Sequence, residues 1–324
     1  MKAIRIHQFG PTEEALQYEE VPIPTPHPDE LLIKVAAASL NRADLGLRRG
    51  TYRVAPEELP IIPGREFAGV VDRTGSNESE FKVGQRVVAY TGKGGYAEYA
   101  KAKPDEVRPI PDGIDLATAA AVPTVFLTAW FALLEDAKLQ PGEWLLVQAG
   151  SSGVGVAAIQ IAKYLGARVI TTSSGDDKAK KLRRLGADVI IDYANDDFVF
   201  EVSRANGKKG VDVVLEMIGG EVYTKSLEVL APGGRLISLG GAFGPIPETP
   251  PPLTEGRRAT RFSITTYLKA HPEGFREIDH FLKLIKETIF HVVIDQAFPL
   301  VEARAAQRYL ENRHHFGKIV LTMS

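Results

Sequence analysis

Trp144-Leu145-Leu146-Val147-Gln148 runs directly into Ala149-Gly150-Ser151-Ser152-Gly153-Val154-Gly155-Val156-Ala157-Ala158, and helical spacing continues to Leu165 before Gly166. The first five residues are an apolar run without polar alternation, which reads as a strand buried on both faces. Three glycines then mark a tight turn, and Gly166 marks the end of the helix that follows. The same unit recurs after it. Strands are predicted at Arg168 to Thr172, Val189 to Ile191, Val211 to Leu215 and Arg235 to Leu239, with helices at Asp177 to Leu185 and Glu221 to Leu230. Strand and helix alternating in this way imply a doubly wound α/β domain, a parallel sheet with helices on both faces.

The flanks differ in texture. Residues 1 to about 110 read as short strands divided by Gly and Pro, among them Leu31 to Ala37, Ala68 to Val71, Arg86 to Tyr90 and Tyr96 to Ala100, which suggests a β-rich first domain. Leu116 to Leu134 carries no charge and approaches the length of a membrane helix, but it is Ala-rich, holds Thr118, Thr124 and Thr128, and contains Pro123. It reads as a buried helix end followed by a second buried helix. After Gly241 the Pro-rich stretch Gly244 to Pro252 reads as a loop. The tail gives a helix near Phe275 to Thr288, a strand near Val292 to Asp295, a helix near Glu302 to Asn312 and a strand over Lys318 to Thr322. No internal repeat is visible, and spacing leaves open which domain the tail completes.

Composition narrows the function. The 324 residues carry 39 Lys+Arg against 41 Asp+Glu, a net charge of -2 that offers no broad positive field to nucleic acid or an acidic membrane. The chain has no Cys, which removes disulfides, thiolate zinc sites, Fe–S clusters and a cysteine nucleophile together. The N-terminal MKAIRIHQFG alternates like a strand and lacks the apolar core of a signal peptide, so a cytoplasmic protein is expected. Asn77-Glu78-Ser79 is read as a chance sequon.

Strand, glycine turn and helix in that order fit a dinucleotide site. The glycines let the backbone approach a pyrophosphate, which then meets the free N–H groups and positive end of the helix. Gly150, Ser152, Gly153, Val154 and Gly155 are therefore candidate cofactor contacts, although the run is G-x-x-G-x-G rather than G-x-G-x-x-G, with Ala158 where helix must meet strand. A ligand-free turn is the bland alternative. The second strand ends Thr171-Thr172-Ser173-Ser174-Gly175, where an NAD site usually has a carboxylate. Hydroxyls with Lys178 close behind suit a 2′-phosphate, so NADPH is expected over NADH. Asp176 and Asp177 are the counterargument, unless Ser174 caps the next helix and both aspartates occupy its first turn.

Further segments carry a resemblance. Asn41-Arg42-Ala43-Asp44, the run from Pro60 through Gly64-Arg65-Glu66 to Val70, Gly84-Gln85-Arg86-Val87, Gly94 to Tyr99 and Leu127-Thr128-Ala129-Trp130 precede the glycine loop in that order. Over nearly its whole length the chain resembles the medium-chain dehydrogenase/reductases, specifically the zinc-independent quinone oxidoreductase branch that includes zeta-crystallin. The resemblance implies a Rossmann domain, residues 123–264, inserted into a GroES-like β-rich catalytic domain of residues 1–122 plus 265–324. It also implies a homodimer, joined at the edge of the cofactor-domain sheet near Arg235 to Leu239. By the same likeness Thr128, Gly153, Val154, Ser174, Lys178, Tyr193 and Arg313 match NADPH contacts, the last four around the 2′-phosphate, and Gly240 and Gly241 match the loop beside the nicotinamide. Relatives often have Gly where Ser174 stands.

No metal site is expected, because zinc-dependent relatives need Cys and a Gly-His-Glu run where this chain has Gly64-Arg65-Glu66. His314-His315 is expected to be a solvated pair. Hydride reduction of a quinone or conjugated enone builds negative charge on the carbonyl oxygen, so a donor must be aimed there. Asn41 and Tyr52 match the pocket positions of the family and are the candidate catalytic donors, against the alternatives that Asn41 fixes a turn through its backbone and Tyr52 only packs. Glu66 is expected to form an ion pair with Arg65 or to fix a loop. The leading reading is an NADPH-dependent oxidoreductase for a small quinone or activated alkene. The alternatives are an enoyl-thioester reductase, with Arg257, Arg258 and Arg261 serving a carrier, and a crystallin-like NADPH-binding protein with little turnover.

Overall fold

A computed structural model describes residues 1–51, 55–75, 80–242 and 244–323. The chain forms two units, Met1–Thr124 with His271–Ser324, and Val125–Ala270.

The first unit opens with β1 (Lys2–Ile6), the short helix α1 (Thr12–Ala15) and β2 (Leu16–Glu20), whose strands pair antiparallel. Then come β3 (Leu31–Ser39), α2 (Arg42–Arg49), β4 (Glu66–Thr74), β5 (Arg86–Tyr90), β6 (Tyr99–Ala102), β7 (Val107–Pro109) and α3 (Leu116–Ala120). Asp115 caps α3 by accepting the Thr118 N–H at 2.8 Å. Helix α4 (Pro123–Phe131) starts on Pro123, so the uncharged stretch is two helices broken at the proline. Among the described residues no helix is long and apolar enough to cross a membrane.

The second unit contains β8 (Trp144–Val147), α5 (Gly153–Tyr164), β9 (Arg168–Ser173), α6 (Asp176–Arg184), β10 (Val189–Asp192), α7 (Phe198–Ala205), β11 (Val211–Glu216), α8 (Gly220–Glu228), β12 (Leu230–Ser238), β13 (Arg258–Arg261) and α9 (Ile264–Ala270). Its six strands run parallel in the order β10-β9-β8-β11-β12-β13. Leu146, Ile170, Val214 and Leu236 fill its core. The order reverses between β8 and β11, and in open parallel sheets ligands bind beyond the strand ends at such a reversal. The Pro-rich stretch Gly244 to Pro252 is a loop as its composition suggested, an unforeseen strand, β13, follows it, and α7 is a further helix that the spacing did not single out. β12 is an inner strand covered by β13, so the expected dimer edge near Arg235 to Leu239 is corrected. Arg235 itself turns inward, donating to the Ala137 carbonyl at 2.6 Å and to Glu143 at 2.6 Å.

The chain returns to the first unit through α10 (Glu277–Lys286), β14 (Ile294–Pro299), α11 (Ala303–Glu311) and β15 (Lys318–Thr322). The larger sheet of that unit has the order β14-β15-β3-β4-β5-β7. β3 pairs with β4 throughout, while its early residues Leu31 to Lys34 pair with β6 and its last residues Ala37 to Ser39 pair with β15. The tail therefore completes the first unit. Two strands lie later than their spacing suggested, β6 beginning at Tyr99 and β14 at Ile294. The core beneath this sheet includes Ile33, Phe67, Val87 and Leu321.

Candidate functional site

In the second unit, the site is a backbone cradle at the end of β8. Ala149 takes a left-handed φ of 54° to start the turn. Its N–H and the N–H of Gly150 are held on β9, by the Thr172 hydroxyl at 3.1 Å and the Thr172 carbonyl at 2.9 Å. A Cβ on Gly150 would lie 2.0 Å from the Thr171 hydroxyl, and one on Gly155 would lie 2.5 Å from the Ala149 carbonyl, so both must be glycine for turn, strand and helix to meet this closely. The Ser152 hydroxyl accepts the Gly155 N–H at 3.0 Å as the N-cap of α5, and its own N–H donates to Ala149. The N–H groups of Gly153 and Val154 have no protein partner among the described residues, being in the first turn of α5. They are the donors a pyrophosphate would take, and the residues present fit a dinucleotide.

The end of β9 fits the phosphorylated form. The Ser173 hydroxyl is buried without a partner among the described residues, and Ser174 and Lys178, which follow it in sequence, are half-buried. Helix α6 is capped by Gly175, at φ 81°, and not by Ser174. Asp176 and Asp177 occupy its first turn, where the helix dipole favours them, with Asp177 solvated and 3.8 Å from Lys180. Tyr193 follows β10 and is exposed. Thr128 lies buried on α4. Gly240 and Gly241 line a cavity of about 700 Å³, with Gly244, Arg261, Phe262 and Tyr267. Tyr267 stacks on Phe131, ring centroids 4.3 Å apart. At the end of β11, Glu216 accepts N–H bonds from Ile218 and Gly219 at 2.6 and 2.8 Å, while burial pushes its carboxyl above the usual carboxylate range. The three arginines raised as carrier contacts hold their own unit together. Arg257 pairs with Glu255, Arg258 reaches the Asp136 carbonyl, and Arg261 donates to the carbonyls of Ile246 and Pro247.

In the first unit, Asn41 lies among buried charges. The antiparallel register that sets Val320 opposite Ser39 and Phe67 opposite Ala38 brings Lys318, Ser39 and Glu66 to adjoining positions on three neighbouring strands, with Asn41 two residues beyond Ser39 at the start of α2. Glu66 accepts from the Ser39 hydroxyl, from Asn41 Nδ2 at 2.8 Å, from Lys318 Nζ at 3.0 Å and from the Thr124 N–H at 2.6 Å. Lys318 Nζ also donates to Asn41 Oδ1 and to the Leu40 carbonyl, both at 2.8 Å. Burial pushes the Glu66 carboxyl up, but Lys318 and these donors outweigh it and hold it below the usual range. Asn41 also starts α2 through its backbone, its N–H donating to Asp44 Oδ2 at 2.7 Å. Asp44 accepts from the Tyr96 hydroxyl at 3.1 Å, and burial raises its carboxyl despite the nearby Arg65 guanidinium. Gly64 keeps this arrangement compact: at φ 91°, its Cβ would fall 2.2 Å from the Tyr96 ring.

Several expectations change here. The partner of Glu66 is Lys318, while Arg65 donates to the Tyr90 hydroxyl at 3.2 Å. Lys318 was not foreseen, its only local signal being one charge at the head of an apolar strand. His314 is exposed but His315 is buried, so they are not a solvated pair. Tyr52 lies outside the described residues, as does Asn77. Arg313 has a left-handed φ of 61°. It repels Arg42, whose guanidinium is lowered to about 10, first by burial and then by Arg313 and Arg49.

Comparison with known proteins gives these features a family. Residues 27–112 match the model of the alcohol dehydrogenase GroES-like domain, and residues 185–321 match the zinc-binding dehydrogenase model. The chain is 33% identical over 327 residues to quinone oxidoreductase of Sus scrofa, covering 100% of this chain and 98% of that protein. It is 35% identical over 314 residues to a phenolphthiocerol/phthiocerol polyketide synthase of Mycobacterium tuberculosis, covering 96% of this chain and 14% of that much longer protein. Among solved structures, Escherichia coli quinone oxidoreductase complexed with NADPH superposes with a TM-score of 0.91 at 30% identity, covering 99% of this chain and 100% of that one. The chain belongs to the medium-chain dehydrogenase/reductases, in their zinc-independent quinone oxidoreductase branch. It has no Cys, and among the described residues no three His, Cys, Asp or Glu are grouped to hold a metal ion.

Proposed function

We propose that the protein is an NADPH-dependent oxidoreductase that reduces a quinone or another conjugated carbonyl without zinc. The observation that carries this reading is the cradle after β8, where Gly153 and Val154 offer two unpartnered N–H groups and β9 ends in hydroxyls instead of a carboxylate. When bound, NADPH supplies the hydride. Gly153 and Val154 hold the pyrophosphate, Gly150 and Gly155 let the backbone approach it closely, Ser152 fixes the turn and Thr128 adds a contact. Ser174, Lys178 and Tyr193 recognise the 2′-phosphate. Arg313 is assigned to the 2′-phosphate on the family resemblance alone. Gly240 and Gly241 keep the wall of the 700 Å³ cavity free of side chains, and its aromatic lining suits a flat acceptor.

On the acceptor, Asn41 donates to the oxygen where negative charge develops, since one of its two Nδ2 hydrogens has no partner among the described residues. Tyr52 is the second proposed donor. Glu66, held ionised by Lys318, accepts hydrogen bonds and has no proton to give. We further assign a cytoplasmic homodimer, supported by the absence of Cys and by the outer edge of β13, which no other strand pairs with among the described residues. The polyketide synthase similarity favours an enoyl-thioester as the second acceptor class. Following NADPH oxidation with a naphthoquinone, an enone and a crotonyl-thioester separates the readings. Fastest turnover of the quinone or enone is expected, preference for the thioester would favour the second reading, and no turnover of any acceptor would leave a binding protein.

A further inference from the structure

Asn41 is held by two opposite charges, and that decides which way its amide faces. A carboxamide is nearly symmetric in shape, so packing alone does not distinguish its oxygen from its nitrogen. Here chemistry does. Lys318 can only donate, so the atom 2.8 Å from its Nζ must be Oδ1, and ionised Glu66 can only accept, so the atom 2.8 Å from its Oε1 must be Nδ2. A flipped amide would set a carbonyl against a carboxylate and an N–H against an ammonium. The backbone is held separately, by the Asn41 N–H on Asp44 and the Lys318 ammonium on the Leu40 carbonyl.

A fully buried ion pair is a poor source of stability, because apolar or neutral groups of similar volume serve as well. Glu66 and Lys318 are 0% and 4% exposed, and neutral polar groups would satisfy the same neighbours. What a neutral pair could not supply is a single amide orientation. We infer that Glu66 and Lys318 are positioning residues, whose opposite charges make Asn41 present its second N–H, and not its carbonyl, to the acceptor oxygen. The inference rests on the proposed role of Asn41 in carbonyl reduction.

The test is the pair of substitutions Glu66→Gln with Lys318→Met. The carboxamide introduced by Glu66→Gln can donate to Asn41 Oδ1 or accept from Asn41 Nδ2, so either orientation of Asn41 finds a partner there, while Lys318→Met keeps the volume and gives up the ammonium's bonds to Asn41 Oδ1 and the Leu40 carbonyl equally for both orientations. Lys318→Met alone strands a buried carboxylate and is expected to fold poorly, which makes the neutral pair the informative variant. NADPH titration, the thermal midpoint and kcat with a naphthoquinone are measured on wild type, on the neutral pair, on Asn41→Ala and on the triple variant. The neutral pair is expected to fold with a lower thermal midpoint, because two buried acceptors lose a donor, and to bind NADPH as wild type does, with kcat reduced about tenfold or more. Asn41→Ala is expected to lose about 10²–10³ in kcat, as removal of one oxyanion donor does. Adding the neutral pair to Asn41→Ala should cost nothing further, since both act through one amide. Wild-type kcat in the neutral pair, or losses that multiply in the triple variant, would overturn the inference. Failure of the wild-type enzyme to reduce any acceptor would instead overturn the functional reading beneath it.

Discussion

The cradle of the second unit and the charge cluster of the first solve opposite problems. Around Gly150 to Gly155 the useful groups are backbone N–H donors, left over because a helix begins there, and side chains matter mainly by being absent. Around Asn41 the useful group is one side-chain amide, and it is surrounded by charges that would be costly alone and are tolerable only together. The first arrangement is damaged by adding an atom. The second is damaged by removing a charge.

The largest effect expected from adding an atom is at Gly155. In Gly155→Ala the new methyl meets the Ala149 and Gly150 carbonyls at 2.5 and 2.7 Å, both backbone atoms with little room to give. NADPH binding should weaken by about tenfold or more, equivalent to ~1.4 kcal/mol, as read by fluorescence titration. Unchanged affinity would mean that the cradle is not where the cofactor sits. A smaller effect distinguishes the first unit by pH. The folded state holds the Glu66 carboxyl below its ordinary value, so its contribution to stability is fully present above the ordinary carboxylate range and is lost as pH falls from that range through the lowered folded-state value. Thermal midpoints taken from pH 7 down to 3 should therefore fall less steeply in the Glu66→Gln, Lys318→Met pair than in wild type. Parallel profiles would show that Glu66 does not titrate as an ion-paired carboxylate.

The same contrast explains what could be read along the chain. The cradle is a short continuous stretch between a strand and a helix, and the apolar run of β8, the turn glycines and the first turn of α5 each leave a local mark. The parallel strands β8, β9 and β11 were legible for the same reason, being short apolar runs closely followed by Gly. β13 was hidden because Arg258-Ala259-Thr260-Arg261 is a polar edge strand behind a Pro-rich stretch, with no apolar periodicity to reveal it. The Asn41 cluster was only half legible. Asn41 and Glu66 stood in segments that resembled a family, but Lys318 reaches them across 277 and 252 positions, through a sheet register that no spacing displays. The neighbour in sequence, Arg65, was the natural partner for Glu66 on paper. The fold sends its side chain to Tyr90 instead.

Of the two regions, the cradle carries the central claim, that the hydroxyl-rich end of β9 selects the phosphorylated cofactor. Calorimetric titration of the protein with NADPH and with NADH under one buffer measures this directly. NADPH is expected to bind at least about tenfold more tightly, a difference of ~1.4 kcal/mol, and Lys178→Ala is expected to narrow the gap by weakening NADPH alone. Equal affinity for the two, or tighter binding of NADH, would contradict the claim.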